Sequence, residues 1–583
     1  MRSGKRSIEN EKEGKKINIV KIMIAIILIV IAVIVIYFTI NKSNNKENKI
    51  ANESIIKNSK TTDTDEIKNE IELKTIEEII SEFGGEIIEQ AKNDTYYIKK
   101  DGVEYTAYLD GEILEGRIVP WNGGASQPAI DEAGNLNIYN AEELKWVADQ
   151  VISGTKNFAG VTITLRNHID LGARKNEEGI WEGNTWSAII GYLDELQIEQ
   201  ESDSNSENTE NAAVLDESIE ITEENLKRFA GAFDGNGFSI RGMNIDSDKK
   251  YQGLFGYSTG TIANLTVKSS NVSGNEVAGI IVGLNGGTIK NCSIENIEVK
   301  GKEKIGGFAG VSMSASNILE CSVNQETSYI SGEKYIGGIV GYVNNNATIQ
   351  KCINRANTTG EDYVGGICGI AFYGTVVEDS INYANNITGN EFVGGLIGYS
   401  QAQIDSCNNW DFENNNKGTV KGKDYVGGIV GLNYIMGNIT NSYNSGKIII
   451  DGNNGAGIVG LNNATISNCY NTGNIENDNK ESVNIGGICG QNTSESFIYT
   501  SYNIGKINSK SNIGGAIGSD FGSCSNVFYL ESSVTKETND ISLSKNEEDM
   551  KNAILTNLGD AYIQDSNNIN SGYPILIWQE TEL

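Results

Sequence analysis

The side chains that most often do chemistry are scarce in this chain, and their spacing does not favour it. The 583 residues include one histidine, His168, so a site built on paired imidazoles is excluded. Eight cysteines are present, none in a C-x-x-C pair, which removes the common zinc and dithiol signatures. Six of them (Cys292, Cys321, Cys352, Cys407, Cys469, Cys524) recur at one place in a repeat where other copies have serine, and Cys368 and Cys489 fall in a glycine motif. That interchange suits a small buried residue, although neighbours such as Cys292 and Cys321 would come within bridging distance in a stack. A polysaccharide lyase or glycoside hydrolase needs paired carboxylates in a groove, or carboxylate-held Ca²⁺ with a basic partner. Between residues 253 and 530 the only arginine is Arg355, and acidic residues cluster in turns such as Gly360-Glu361-Asp362 and Gly422-Lys423-Asp424. No catalytic residue, metal or cofactor is expected.

Recognition by exposed rings is the other chemistry on offer. Tyr335, Tyr363, Phe392 and Tyr425 each stand three residues before a repeated glycine, beside apolar residues that should point inward. They are therefore predicted to face solvent on four successive layers, as ligand-binding candidates for a glycan or a protein surface. Tyr443, Tyr470 and Tyr502 make a second predicted outer stripe. Rings that merely stack on one another along the repeat are the competing reading.

The repeat positions these residues. Ten glycine motifs, from GLFG at 253–256 through GGIVG at 427–431 to GGAIG at 514–518, recur every 26 to 33 residues, about 29 on average. A fixed period of this size means stacked units, none able to bury its apolar face alone. Each unit holds three short strand-like runs between Gly/Asn turns, which predicts one coil of a parallel β-helix with layers about 4.8 Å apart. In seven copies a [Cys/Ser]-x-Asn pattern follows, ending in Asn354, Asn382, Asn409, Asn444, Asn471, Asn503 and Asn526. Period-two alternation turns both members inward, so the asparagines are predicted to form a buried hydrogen-bonded ladder.

The rest of the chain reads as an anchor and caps. Residues 1–18 carry Arg2, Lys5, Arg6, Lys12, Lys15 and Lys16, and Ile22–Ile40 is uncharged and long enough to cross a bilayer. A cytoplasmic tail (1–18), a single-pass membrane anchor (19–40) and a polar stalk (41–70) are expected, with all that follows outside the cell. A small α+β module (71–119) comes next, with a hairpin at Asp101-Gly102. Residues 120–252 are expected to hold an N-terminal cap and the first coils, with an acidic insert at 194–228. The cap helix begins at Asn140 and Glu143 and buries Leu144, Val147, Ala148 and Val151. Glycine-motif coils fill 253–530 and a C-terminal cap 531–583, where Ser544 and Glu547 suggest a capping box before Met550, Ala553, Ile554 and Leu558. The net charge of −31 argues against nucleic acid as a partner.

These repeats resemble the GLUG-motif repeats of bacterial surface proteins, as do FAGAFDGNGFSIRGMNI (229–245) and SGYPILIWQ (571–579). The resemblance covers roughly 130–579 and implies a right-handed parallel β-helix displayed outside the cell. Similar repeats occur in IgA-specific metallopeptidases, but their His-Glu-x-x-His motif is missing and His168 lies in RNHID, so protease activity does not carry over. A cell-wall sorting signal is also missing, which leaves attachment to the apolar segment. The expected function is a non-catalytic, membrane-anchored adhesive rod for a host or cell-wall glycan or an extracellular protein. A β-helix polysaccharide lyase or glycoside hydrolase is the alternative.

Overall fold

A computed structural model describes residues 75–91, 95–176, 178–186, 190–193, 226–410, 418–511, 513–534 and 541–580. The expected tail, membrane anchor and stalk, and nearly all of the acidic insert, lie outside the described residues. Among the described residues no helix is long and apolar enough to cross a membrane.

The first element is α1 (Ile76–Phe83), capped by the Thr75 side chain and stopped by Gly84 at φ 79°. Four antiparallel strands follow in sequential order: β1 (Glu86–Gln90), β2 (Thr95–Lys100), β3 (Val103–Tyr108) and β4 (Ile113–Glu115). Lys100 pairs with Val103 across Asp101 (φ 51°) and Gly102 (φ 87°), the left-handed pair a two-residue hairpin needs. This sheet docks on the flank of the β-helix through charge. Arg241, almost fully buried, bonds Asp110 at 2.5 Å and Glu112 at 2.7 Å, and Lys268 bonds Glu112 at 2.8 Å. Burial alone would raise the Asp110 pKa, but the Arg241 charge and a hydrogen bond from Ser269 outweigh it and hold the carboxyl below its usual range.

The β-helix has about twelve turns. It opens under α2 (Ala141–Ile152), where Asn140 accepts from the Glu143 N–H at 3.0 Å and the Glu143 carboxylate accepts from the Tyr139 N–H. Leu144, Val147, Ala148 and Val151 of α2 join the core of the coils and close that end. A typical coil has five short strands: Lys334–Gly337, Val340–Val343, Thr348–Gln350, Ile353–Asn354 and Asn357–Thr359. Each pairs in parallel and in register with its equivalent one coil on, as Ile336 does with Val364 and Asn354 with Asn382. The core is a column of Ile, Val and Leu from every layer.

Two left-handed corners recur in register. Tyr251, Val277, Lys304, Tyr335, Tyr363, Phe392, Tyr425, Asn454 and Asn484 all have φ between 53° and 63°. Asn264, Asn291, Glu320, Lys351, Asp379, Ser406, Asn441, Asn468, Thr500 and Asn526 have φ between 41° and 54°. The corners hold even where a coil is longer. Asn409 bonds Asn444 at 2.7 Å across 35 residues, whereas Asn382 bonds Asn409 at 2.8 Å across 27.

The C-terminal segment departs from its expected form. Ser544 lies in the strand Leu543–Lys545, and the cap is Asn546, which accepts from the Asp549 N–H at 2.9 Å. A wide helical turn over Asp549–Ala553 continues into Leu555–Leu558 and stops at Gly559 (φ 75°). Met550, Ile554 and Leu558 are buried and Ala553 is exposed. This face packs on the side of the last coils, against Tyr470, Tyr502 and Phe528.

Candidate functional site

The asparagine ladder occupies the core edge beneath the glycine motifs. Each Nδ2 donates to the Oδ1 of the next coil: Asn354 to Asn382 (2.9 Å), Asn382 to Asn409 (2.8 Å), Asn444 to Asn471 (2.8 Å) and Asn471 to Asn503 (2.8 Å). Asn444 also closes a turn, accepting from the Gly446 N–H at 3.1 Å and donating to its carbonyl at 3.0 Å. Full satisfaction is what makes these buried amides affordable. The ladder also explains the motif glycines. A Cβ on Gly366 would lie 2.3 Å from Asn382 Cγ and one on Gly428 2.4 Å from Asn444 Cγ, so the second glycine clears space for the amide.

Asn526 is not a rung. Strand Ser523–Leu530 pairs Ser501 with Val527 and Asn503 with Tyr529, which puts Asn526 at an exposed left-handed corner three residues from the expected register. Asn503 instead donates to the Gly515 carbonyl at 3.0 Å. Cys524 leaves the small-residue column with it, pairing with Ile498. A second ladder escaped the sequence reading: Asn433 to Asn462 (2.8 Å), Asn462 to Asn492 (2.9 Å) and Asn492 to Asp520 (2.8 Å). Its signal is an Asn or Asp five residues after the aligned glycine.

The remaining chemical candidates are engaged. Cys292, Cys321, Cys352, Cys407 and Cys469 line the buried column as free thiols, and burial pushes Cys352 and Cys469 up to about 12. Thiols raised in this way are poor nucleophiles, whereas a hydrogen bond with Cys321 lowers the Cys292 pKa. His168 Nδ1 accepts from the Ser239 N–H at 3.1 Å, and burial lowers its pKa. Arg355 lies over the Tyr383 ring at 4.8 Å. Among the described residues no group of three or more His, Cys, Asp or Glu could hold a metal ion.

The two aromatic columns differ. Tyr335, Tyr363, Phe392 and Tyr425 stack with centroids 5.1, 4.8 and 4.8 Å apart and planes within 22°, 9° and 6°. They were expected to face solvent, yet they are half-buried, each ring covering its neighbour's face. Burial raises the Tyr335 and Tyr425 pKa values and pushes Tyr363 up to about 12. The predicted outer stripe of Tyr443, Tyr470 and Tyr502 is sealed. Tyr443 is 4% exposed and the other two fully buried, because the C-terminal segment lies over them. Tyr470 donates to Gln579 Oε1 at 2.8 Å, Tyr502 donates to the Pro574 carbonyl, and Trp578 donates to the Asn441 carbonyl at 2.8 Å.

An outward apolar row was also missed. Tyr257, Leu284, Val311, Tyr342, Ile370, Tyr399, Leu432 and Leu461 pair in register along the outside of a ten-stranded sheet. In the glycine-motif coils its signal is an apolar residue four after the aligned glycine. Tyr335, Tyr363 and Phe392 pack against this row, and Phe372 and Tyr434 extend it toward the next corner. All of the row but Tyr342 and Leu461 is buried, at 3–8% exposed, so it forms apolar clusters outside the core and not an open face. Of two open grooves elsewhere on the coils, one of about 730 Å³ is lined by a single carboxylate, Glu495, and one of about 440 Å³ by Glu320 alone. Neither brings together the carboxylate pair that glycoside hydrolysis needs.

Fold and columns together define a parallel β-helix repeat protein. The GLUG motif family model matches residues 424–449, which fall within one lap. Among solved structures, a provisionally assigned immunoglobulin A1 protease from Bacteroides ovatus aligns at 16% identity, covering 78% of this chain and 95% of its own. With a TM-score of 0.28, that likeness carries no functional conclusion. No curated protein sequence matches the chain.

Proposed function

We propose that this chain is a surface rod, held to the cell membrane by the apolar segment at 19–40, that binds a glycan or an extracellular protein without transforming it. The N-terminal tail stays in the cytoplasm and the coils project outside, as the cationic flank of the apolar segment favours. The observation that carries the binding role is the half-buried ring stack of Tyr335, Tyr363, Phe392 and Tyr425, repeated on four successive layers and packed on an outward row that is itself largely buried. Ring surface left open along a sheet is apolar area that a partner can cover. The engaged cysteines and histidine support a passive role.

The test is a glycan and matrix-protein array probed with the purified full chain, with size analysis of every ligand retained. Retention with the ligand intact is the expected result. Shortened ligand would move the assignment to a lyase or hydrolase, and absence of all retention would remove the binding role.

A further inference from the structure

The groove of about 730 Å³ crosses coils beyond the aromatic stack, between the turns at 434–438 and 493–497. Its lips are apolar and open: Met436 is 63% exposed, Ile435 54% and Phe497 39%. Its floor is polar and, except for Glu495, uncharged, with Asn438, Asn463, Thr465, Thr493 and Ser494 along it. The Thr493 hydroxyl is tied to Asn463 at 2.5 Å and Gln403 donates to the Met436 carbonyl at 3.1 Å. The side chains of Asn438, Thr465 and Ser494 have no hydrogen-bond partner among the described residues.

Two features set this groove apart from the Tyr335–Tyr425 stack. Phe497 pairs in register with Thr465 on one coil and Ser523 on the next, so no ring covers it from the layer above or below. Among the described residues its one ring neighbour is Tyr499, on the same strand at 5.9 Å and within 19° of parallel. Met436, moreover, stands at φ 72°. The equivalent turn position is Ala315 (φ 61°), Asn346 (φ 59°), Gly374 (φ 76°) and Glu495 (φ 70°) in other coils, so the corner is left-handed throughout and Met436 carries the largest apolar side chain at it. A bulky exposed thioether at a strained corner, with no packing role in the coil, is a feature that contact with a ligand would explain.

We propose that this groove is a binding subsite for a neutral oligosaccharide. A sugar ring has an apolar face for Phe497 and Met436 and equatorial hydroxyls for the amides and hydroxyls of the floor, and the volume lies within the usual range for small-ligand sites. The groove has no Lys or Arg, so an anionic glycan has no counter-charge there. This inference rests on the chain being a binding rod and names both the ligand class and the place.

The experiment compares neutral and sulfated oligosaccharides on an array, using the full chain, Phe497→Ala, Met436→Gly and Tyr139→Ala, an exposed ring outside both the groove and the ring stack. Far-UV circular dichroism and melting curves report folding. Expected is at least a tenfold loss of neutral-glycan affinity in Phe497→Ala and a smaller loss in Met436→Gly, whose corner glycine relieves strain and keeps the coil intact. Tyr139→Ala should retain neutral-glycan binding. Neutral-glycan affinity unchanged in both groove variants overturns the proposal, as does a preference for sulfated chains. Retention of matrix protein with no glycan overturns the groove and leaves the rod standing, whereas no retention of any ligand removes both.

Discussion

The Tyr335–Tyr425 column and the Tyr443–Phe528 column use the same device, an outward aromatic residue repeated once per layer. Ring spacings are also alike, 4.8 to 5.1 Å in the first and 5.0 to 5.1 Å between the tyrosines of the second. One is half-open and the other sealed, and the difference comes from about forty residues at the far end of the chain. Met550, Ile554 and Leu558 need an apolar surface to bury against, and the rings from Tyr443 to Phe528 supply it. An outer aromatic row is thus a surface in search of a cover. In the second column the chain supplies its own; in the first the described residues leave the row half-open.

The largest effect that could break this comparison is at the sealed column. Tyr502→Ala removes a fully buried ring and its hydrogen bonds to Pro574 and Asn570, and should destabilise the protein by about 3–5 kcal/mol in urea unfolding. Limited proteolysis should then release the C-terminal segment first. Next is the ladder behind both columns. Asn409→Ala takes the ladder acceptor from Asn382 Nδ2 and one of two donors from Asn444 Oδ1 and should cost about 1–3 kcal/mol, with Asn409→Ser recovering little because its hydroxyl is too short to reach both. At the open column, Tyr363→Ala loses two stacked pairs worth about 0.5–1.5 kcal/mol each, and a cost equal to that of Tyr502→Ala would erase the distinction between the columns.

An absorbance titration sharpens the same contrast. Tyr363 keeps its proton in the folded state to about pH 12, above the ordinary value near 10. Its contribution to stability is therefore present below pH 10 and lost as pH rises from about 10 to about 12. Tyr470 and Tyr502 should ionise only on unfolding, and a tyrosinate signal from them in folded protein would show that the cap does not seal them. The smallest effect belongs to Asn526→Gly. At a left-handed corner, glycine should change stability by no more than about 0.5 kcal/mol, and a larger loss would restore Asn526 to the ladder.

What the sequence reveals follows from what repeats. Glycine, cysteine and asparagine recur because every layer needs them, so the coil, the small-residue column and the rungs from Asn354 to Asn503 can be read directly. Asn526 misleads because Cys-Ser-Asn imitates the motif in a coil where Val527 and Tyr529 take the two inward positions. The fate of Tyr443, Tyr470 and Tyr502 is invisible for another reason: it depends on residues such as Gln579 and Pro574, roughly seventy to one hundred positions away, and no periodicity encodes that contact. The groove at Met436 and Phe497 arises from turns of unequal length, the part of a repeat in which successive copies agree least.

The longer lap between Asn409 and Asn444 carries a wider implication. Successive rungs can be 27 or 35 residues apart and still meet, so neighbouring layers are tied through their edges whatever length of chain joins them. A lap can therefore lengthen without weakening the shaft, provided that the amide returns to its column.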